Sequence, residues 1–203
     1  WQRVQQLLEQ PENDLSQVMH TVTREWNATD EPFVRELFQP DRPRLMIPAN
    51  YVKTTAAADY TQTAKSRRLG RQLLLDIRKK DRTWIDANLE LHLFDTHSDV
   101  HTLTVDNLAD VAYASTRMIH WLVPAEIDSK PYVDASYTCA FPVRELVDLG
   151  YDKVIAISTE TGDAYRDIFA DEVIPHRISG TPIHLIRPDY DLQDIGVDFT
   201  SCT

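Results

Sequence analysis

The stretch Glu126–Thr159, EIDSKPYVDASYTCAFPVRELVDLGYDKVIAIST, decides how the rest of the chain is read. A short apolar run, Tyr132-Val133, ends on Asp134, and a turn of small and polar residues follows. Pro142 then starts a helical segment that runs to Leu149, Gly150 stops it, and a second apolar run spans Val154 to Ile157. An acid where a strand runs into a loop is a common catalytic position, because a rigid sheet fixes the loop that bears it. The alternative role for Asp134 is a turn or helix cap with no chemistry.

Outward from this stretch, short apolar runs alternate with helical patterns. Leu89–Phe94 and Val100–Val105 read as strands flanking the polar turn Asp95-Thr96-His97-Ser98-Asp99. Asp106 or Asn107 caps a helix running toward Met118, and Ile183–Ile186 is a further apolar run. Strands alternating with helices predict a mostly parallel sheet with helices on both faces, a three-layer α/β/α domain. The runs at Leu91, Val154 and Ile183 are expected in one sheet, with Pro142–Leu149 as a right-handed crossover between neighbouring strands. The N-terminal part reads as helices: Asp14–Trp26, a shorter one opened by Asp30-Glu31-Pro32, and Tyr60–Lys80. Leu69, Leu73 and Ile77 form one stripe of the last helix, and Gly70 weakens it. Pro40–Pro48 reads as a loop. The expectation is a single domain over 1–203, mainly helical over 1–83 and strand–helix over 84–203.

The chain has 203 residues, 42% hydrophobic and 26% charged, which suits one sizeable core. A net charge of −11 argues against nucleic acid as the main partner, since phosphate binding needs a basic surface. Cys139 and Cys202 form no disulfide framework and no metal-ligand spacing. This fits a reducing compartment, and a cytoplasmic location is expected. No apolar run approaches the roughly 18 residues that span a bilayer.

The segment from Leu89 to Thr159 resembles the C-terminal half of a patatin-like lipid acyl hydrolase domain. In that family the general base sits in an Asp-Gly-Gly or Asp-Gly-Ala motif, followed by a Pro-led helix, a glycine stop and a strand. Asp134, Pro142, Gly150 and the Val154 run stand in the matching places, and Ala114-Ser115 and Pro124 match features upstream. Here Ala135 and Ser136 replace the glycines after the acid, and Ala140 stands where the family often has asparagine. Thr116–Val123 lacks the usual proline and glycine. The five glycines are never four apart, so no Gly-x-Ser-x-Gly elbow is present, and the family's glycine-rich oxyanion loop is absent too. If the turn needs positive φ after the acid, Ala135 would cost ~1 kcal/mol or more. The resemblance implies a domain incomplete on its N-terminal side, or a degenerate relative. It also implies a mechanism: a serine attacks a lipid acyl ester and Asp134 takes its proton, with no histidine and no cofactor. The alternative is a non-catalytic relative that binds a lipid or protein partner. No substrate-binding residue is indicated.

Other constellations carry less. Asp95, His97, Asp99 and His101 alternate, with His92 nearby, as metal ligands on one strand face would; a hairpin turn at Thr96–Asp99 breaks that face, and no metal is expected. Lys65–Arg82 holds Lys65, Arg67, Arg68, Arg71, Arg78, Lys79, Lys80 and Arg82 against Asp76 and Asp81. This basic helix either contacts an anionic membrane surface peripherally or forms a solvated face. Ser158–Asp163 follows a strand and is read as opening a helix, a place suited to an anion. His120, His176 and His184 have no partner by spacing. Without an elbow serine, the isolated chain should not hydrolyse p-nitrophenyl esters or phospholipid above background. Stoichiometric labelling of Ser115, Ser136 or Ser158 by a fluorophosphonate probe would overturn that expectation.

Overall fold

In the computed structural model of the chain, the described residues are 32–39, 41–54, 63–119 and 122–189 with positions 6 and 21; positions 33 and 63–67 are described by backbone alone. The helix expected over Asp14–Trp26 lies almost wholly outside them. The chain clusters into two compact units, Trp1–Thr138 and Cys139–Thr203.

The class is mixed α/β. In the first unit, helix α1 (Pro32–Leu37) precedes strand β1 (Met46–Val52), and helices α2 (Thr63–Lys79) and α3 (Thr83–Asn88) lead into β2 (Leu89–Asp95). Helix α4 (Leu108–Ala114), strands β3 (Ala125–Ile127) and β4 (Lys130–Val133) and a one-turn 3-10 helix (Ala135–Tyr137) follow. The sheet order is β2-β1-β4-β3, antiparallel throughout. The second unit holds α5 (Val143–Asp148), β5 (Val154–Ile157), β6 (Arg177–Ile178) and β7 (Thr181–Ile186). There β5 and β7 run parallel, with Val154 opposite Ile183, and β6 pairs antiparallel with β7.

This corrects the single parallel sheet. Val154 and Ile183 are neighbours as expected, but Leu91 lies in the other sheet, and α5 connects strands of different sheets rather than crossing over within one. The cause is β1, which begins inside the stretch Pro40–Pro48 read as a proline loop. Pro48 is tolerated there because β4 pairs only with Asn50 and Tyr51, so at Pro48 the β4 side of β1 needs no N–H. The Pro48 carbonyl accepts the Ser115 hydroxyl at 2.8 Å instead. Between β3 and β4, Asp128 and Ser129 have φ of 51° and 59°, the left-handed pair that a tight antiparallel hairpin requires.

The expected strand Val100–Val105 is also absent. The chain curls around Asp95 instead: its amide donates to His101 O (2.9 Å) and its carbonyl accepts from Leu103 N (3.0 Å). Its carboxylate holds Arg44 through Nε at 2.8 Å and through Nη2, which pins the curl to the entrance of β1.

One sheet face presents Ala49, Phe94, Ala125, Ile127 and Tyr132 to Val111 and Ala114 of α4 and to Val34 of α1. Val133 and Asn50 lie opposite one another in β4 and β1 and are fully buried. Helix α2 falls where its periodicity placed it: Leu73 is wholly buried, while Leu74 and Leu75 are exposed. Gly150 ends α5 with φ of 90°. Its N–H donates to Val147 O (2.9 Å) and that of Tyr151 to Leu146 O (3.2 Å), which satisfies the last carbonyls of the helix.

Asn50 is the polar group that β1 buries. Its Nδ2 donates to Asp134 O at 2.7 Å and its Oδ1 accepts from Thr138 Oγ1 at 2.6 Å. Asn50→Ala should lower stability by about 1–3 kcal/mol, because it orphans a buried carbonyl. Asn50→Asp should not restore the loss, since a carboxylate cannot donate to Asp134 O. Urea unfolding of the two variants checks both expectations, and a wild-type midpoint for either would remove Asn50 from this role.

Candidate functional site

Asp134 stands where the strand pattern predicts, directly after β4. Its φ and ψ of −51° and 136° are extended, and its Oδ1 accepts the Ser136 N–H at 2.7 Å, capping the 3-10 turn. Its own N–H donates to Arg117 O at 2.8 Å. The side chain is half-buried. Among the described residues its Oδ2 accepts no hydrogen bond and the carboxylate has no ion-pair partner. Neither arginine considered as a structural partner neutralises it. Arg144 pairs with Glu172, and the buried Arg117 lays its guanidinium over the Tyr113 ring, 4.3 Å from the centroid.

The cap sets aside the strain expected at Ala135. That residue has no positive φ, because the turn is a right-handed 3-10 helix in which alanine is at ease. The same geometry leaves the glycines of the resembled motif without a conformational role here.

The serines do not assemble a nucleophile. Ser115 closes α4, and its hydroxyl donates a hydrogen bond to Pro48 O. Ser158 shares a local turn with Glu160, its Oγ accepting from Glu160 N at 3.0 Å. Ser136 uses its amide to hold Asp134. A strand-to-helix turn bearing an exposed serine is absent among the described residues. The segment after Ser158 opens no helix, so the anion site expected at a helix N-terminus does not form.

The chemistry that sequence reasoning missed lies beside β2. His92 and His101 stack with ring centroids 3.8 Å apart. Tyr51 also stacks with His92, at 5.5 Å, and Phe94 and Tyr132 meet edge to face at 5.3 Å. The Tyr132 hydroxyl lies 3.1 Å from His92 Nδ1. Burial, and then the nearby Asp128 carboxylate, push the Tyr132 phenol up to about 12. Burial, and then the charge of its neighbour His101, hold His92 below its ordinary value; Glu90, 3.4 Å from Nε2, acts the other way. Burial and Lys130 lower His101. The signal was present as alternation, His92 and Phe94 two apart, but it needed the β1 pairing to place Tyr51 and Tyr132 alongside.

The metal-like alternation dissolves. Asp95 serves Arg44 and the His97 amide, and His101 serves the aromatic stack. Among the described residues, no group of three or more His, Cys, Asp or Glu stands close enough to hold a metal. No helix among them is long and apolar enough to cross a membrane. Comparison with protein families, with characterised proteins and with solved structures yields no match.

The stacked pair sets a pH dependence with a definite sign. Both folded-state values lie below the ordinary 6.5, so above that value both states are neutral and stability is full. As pH falls from 6.5 through the lower folded values, the unfolded chain takes up protons first and stability is lost. The melting temperature should drop as pH falls below the ordinary 6.5, and His101→Phe, which keeps a stacking ring, should flatten the profile. An equal drop in the variant would refute the stack as its source.

Proposed function

We propose that this chain is the acid-bearing part of a patatin-like hydrolase of lipid acyl esters, with Asp134 as the general base. The observation that carries the reading is the Asp134 carboxylate. It sits at a strand end, half-buried, with one oxygen fixed by the Ser136 amide and the other without a hydrogen bond among the described residues. A base that takes a proton from a serine hydroxyl needs that combination of fixed orientation and a free lone pair. Asn50 and Arg117 orient it through the main chain on either side.

The reading brings with it a three-layer domain with a mostly parallel sheet. The parallel β5–β7 pair behind a Pro-led helix supports it, and the antiparallel β2-β1-β4-β3 sheet counts against it. A cytoplasmic location with peripheral membrane contact accompanies it. The exposed side of α2 suits such contact: Arg68, Arg71 and Arg78 stand on it with Leu74 and Leu75, 53% and 47% exposed. Cations that attract anionic headgroups and leucines that enter the interface are the two components of interfacial binding.

A second reading is favoured by the cap itself. A carboxylate already serving a turn, with no elbow serine beside it, fits a non-catalytic relative that binds a lipid or a protein. A Gly-x-Ser-x-Gly segment preceding Trp1 in the same polypeptide separates the two. In such a polypeptide Asp134→Asn should cut ester turnover by ~10² or more while leaving the melting temperature nearly unchanged. Full turnover in that variant would remove Asp134 from the mechanism.

A further inference from the structure

In the second unit a cavity of about 340 Å³ opens along β7. Its polar lining is Arg187, His176, His184 and Asp163, and its apolar lining includes Val173, Ile174 and Leu185. It exists because β6 is short. Arg177 and Ile178 pair with Pro182 and Thr181, and the Ile183 N–H still reaches His176 O at 2.9 Å. Beyond that bond β6 has no further residue to offer.

Strand parity then fixes what the cavity receives. Main-chain groups of successive residues point to opposite edges of a strand. Ile183 points toward the β6 side, and Ile186 points toward β5, its carbonyl accepting from Ser158 N at 2.9 Å. The N–H and C=O of Leu185 therefore point to the β6 side, where no strand among the described residues pairs with them.

Arg187 sits at the carboxyl end of β7, and its Nη1 donates to Gly162 O at 2.7 Å. That bond orients the guanidinium without neutralising it. Among the described residues no carboxylate lies within ion-pair distance of Arg187, and neither His176 nor His184 has a side-chain hydrogen bond. Imidazole donates an N–H whether neutral or charged. Two donor side chains, Arg187 and His176, and one strand amide thus face a single carboxylate, Asp163, in a chain whose net charge is −11; the His184 side chain lies on the face of β7 opposite to Leu185.

The geometry points to a binding site for a small amphiphilic oxyanion: a phosphate or carboxylate head held by Arg187 and His176, with a short apolar body against Val173 and Ile174. The volume admits a head and a few methylenes and excludes a long acyl chain as the whole occupant. Its lining residues all belong to the second unit, and it stands whether or not the chain belongs to a hydrolase.

The test is a titration of the 15N-labelled full chain with inorganic phosphate, hexyl phosphate and hexanoate, followed by amide shifts. The expected result is saturable shifts at Leu185, His176 and Arg187, with hexyl phosphate or hexanoate binding about tenfold or more tightly than inorganic phosphate, because only they fill the apolar side. Which of the two binds better distinguishes a phosphate from a carboxylate head. Arg187→Ala and, separately, His176→Ala should each weaken binding about tenfold, the scale of one charge-assisted hydrogen bond. Both residues are exposed, so melting temperatures should not change. Inorganic phosphate binding as well as hexyl phosphate would overturn the amphiphile. Unchanged affinity in Arg187→Ala, or no shift at Leu185 with any of the three probes, would overturn the site.

Discussion

The buried side-chain amide of Asn50 is the interaction on which the first unit depends. It sits in β1, the strand between β2 and β4, and spends both its functional ends on one short segment, the Asp134 carbonyl and the Thr138 hydroxyl. A wholly buried amide is costly unless both ends are paired, so only a backbone that presents these two groups to β1 is compatible with the packed sheet. That requirement bends the chain directly after β4 and makes the 3-10 turn. The turn in turn aims the Ser136 amide at the Asp134 carboxylate. The position of the acid therefore follows from a core asparagine 84 residues earlier in the chain.

In the second unit Arg166 plays the corresponding part by other means. Its guanidinium pairs with Glu145 on α5, and its carbonyl accepts the amides of Ala140 and Phe141 just before that helix. Its own amide donates to Glu172 O, and Glu172 in turn pairs with Arg144. Charge and main chain together clamp a helix of only six residues, whose own hydrogen bonds are too few to hold it. The helix covers the β5–β7 pair with Val143, Leu146 and Val147. Local pairing substitutes here for the internal hydrogen bonds that a longer helix would supply.

What was legible in the sequence was what local chemistry fixes. The Asp134 strand end, the Gly150 stop, the apolar runs at Val154 and Ile183 and the α2 stripe each follow from a residue type in its immediate context. Long-range pairing was not legible. Pro48 disguised β1 as loop, and without β1 the run at Leu91 had no visible partner, so alternation with helices suggested a parallel sheet. The curl at Asp95 depends on Arg44, 51 residues away, and no spacing rule finds it. The His92–His101 stack was hidden for the same reason: its neighbours come from β1 and β4 and become adjacent only once the antiparallel register is set. The cavity beside Arg187 depends on where β6 stops, which two residues of weak pattern do not announce.

Cys139 lies at the start of the second unit with no exposed surface, and its thiol is pushed up to about 12, by burial first and then by the Glu145 carboxylate. At neutral pH almost none of such a thiol is thiolate, the form that reacts with electrophiles. In the closed protein this sulfur is chemically silent. Opening of the Cys139–Glu145 segment returns the thiol to water and to an ordinary acidity, and its reactivity rises by orders of magnitude in the same event. Labelling of Cys139 would therefore report opening of the segment that the Arg166–Glu145 pair holds closed.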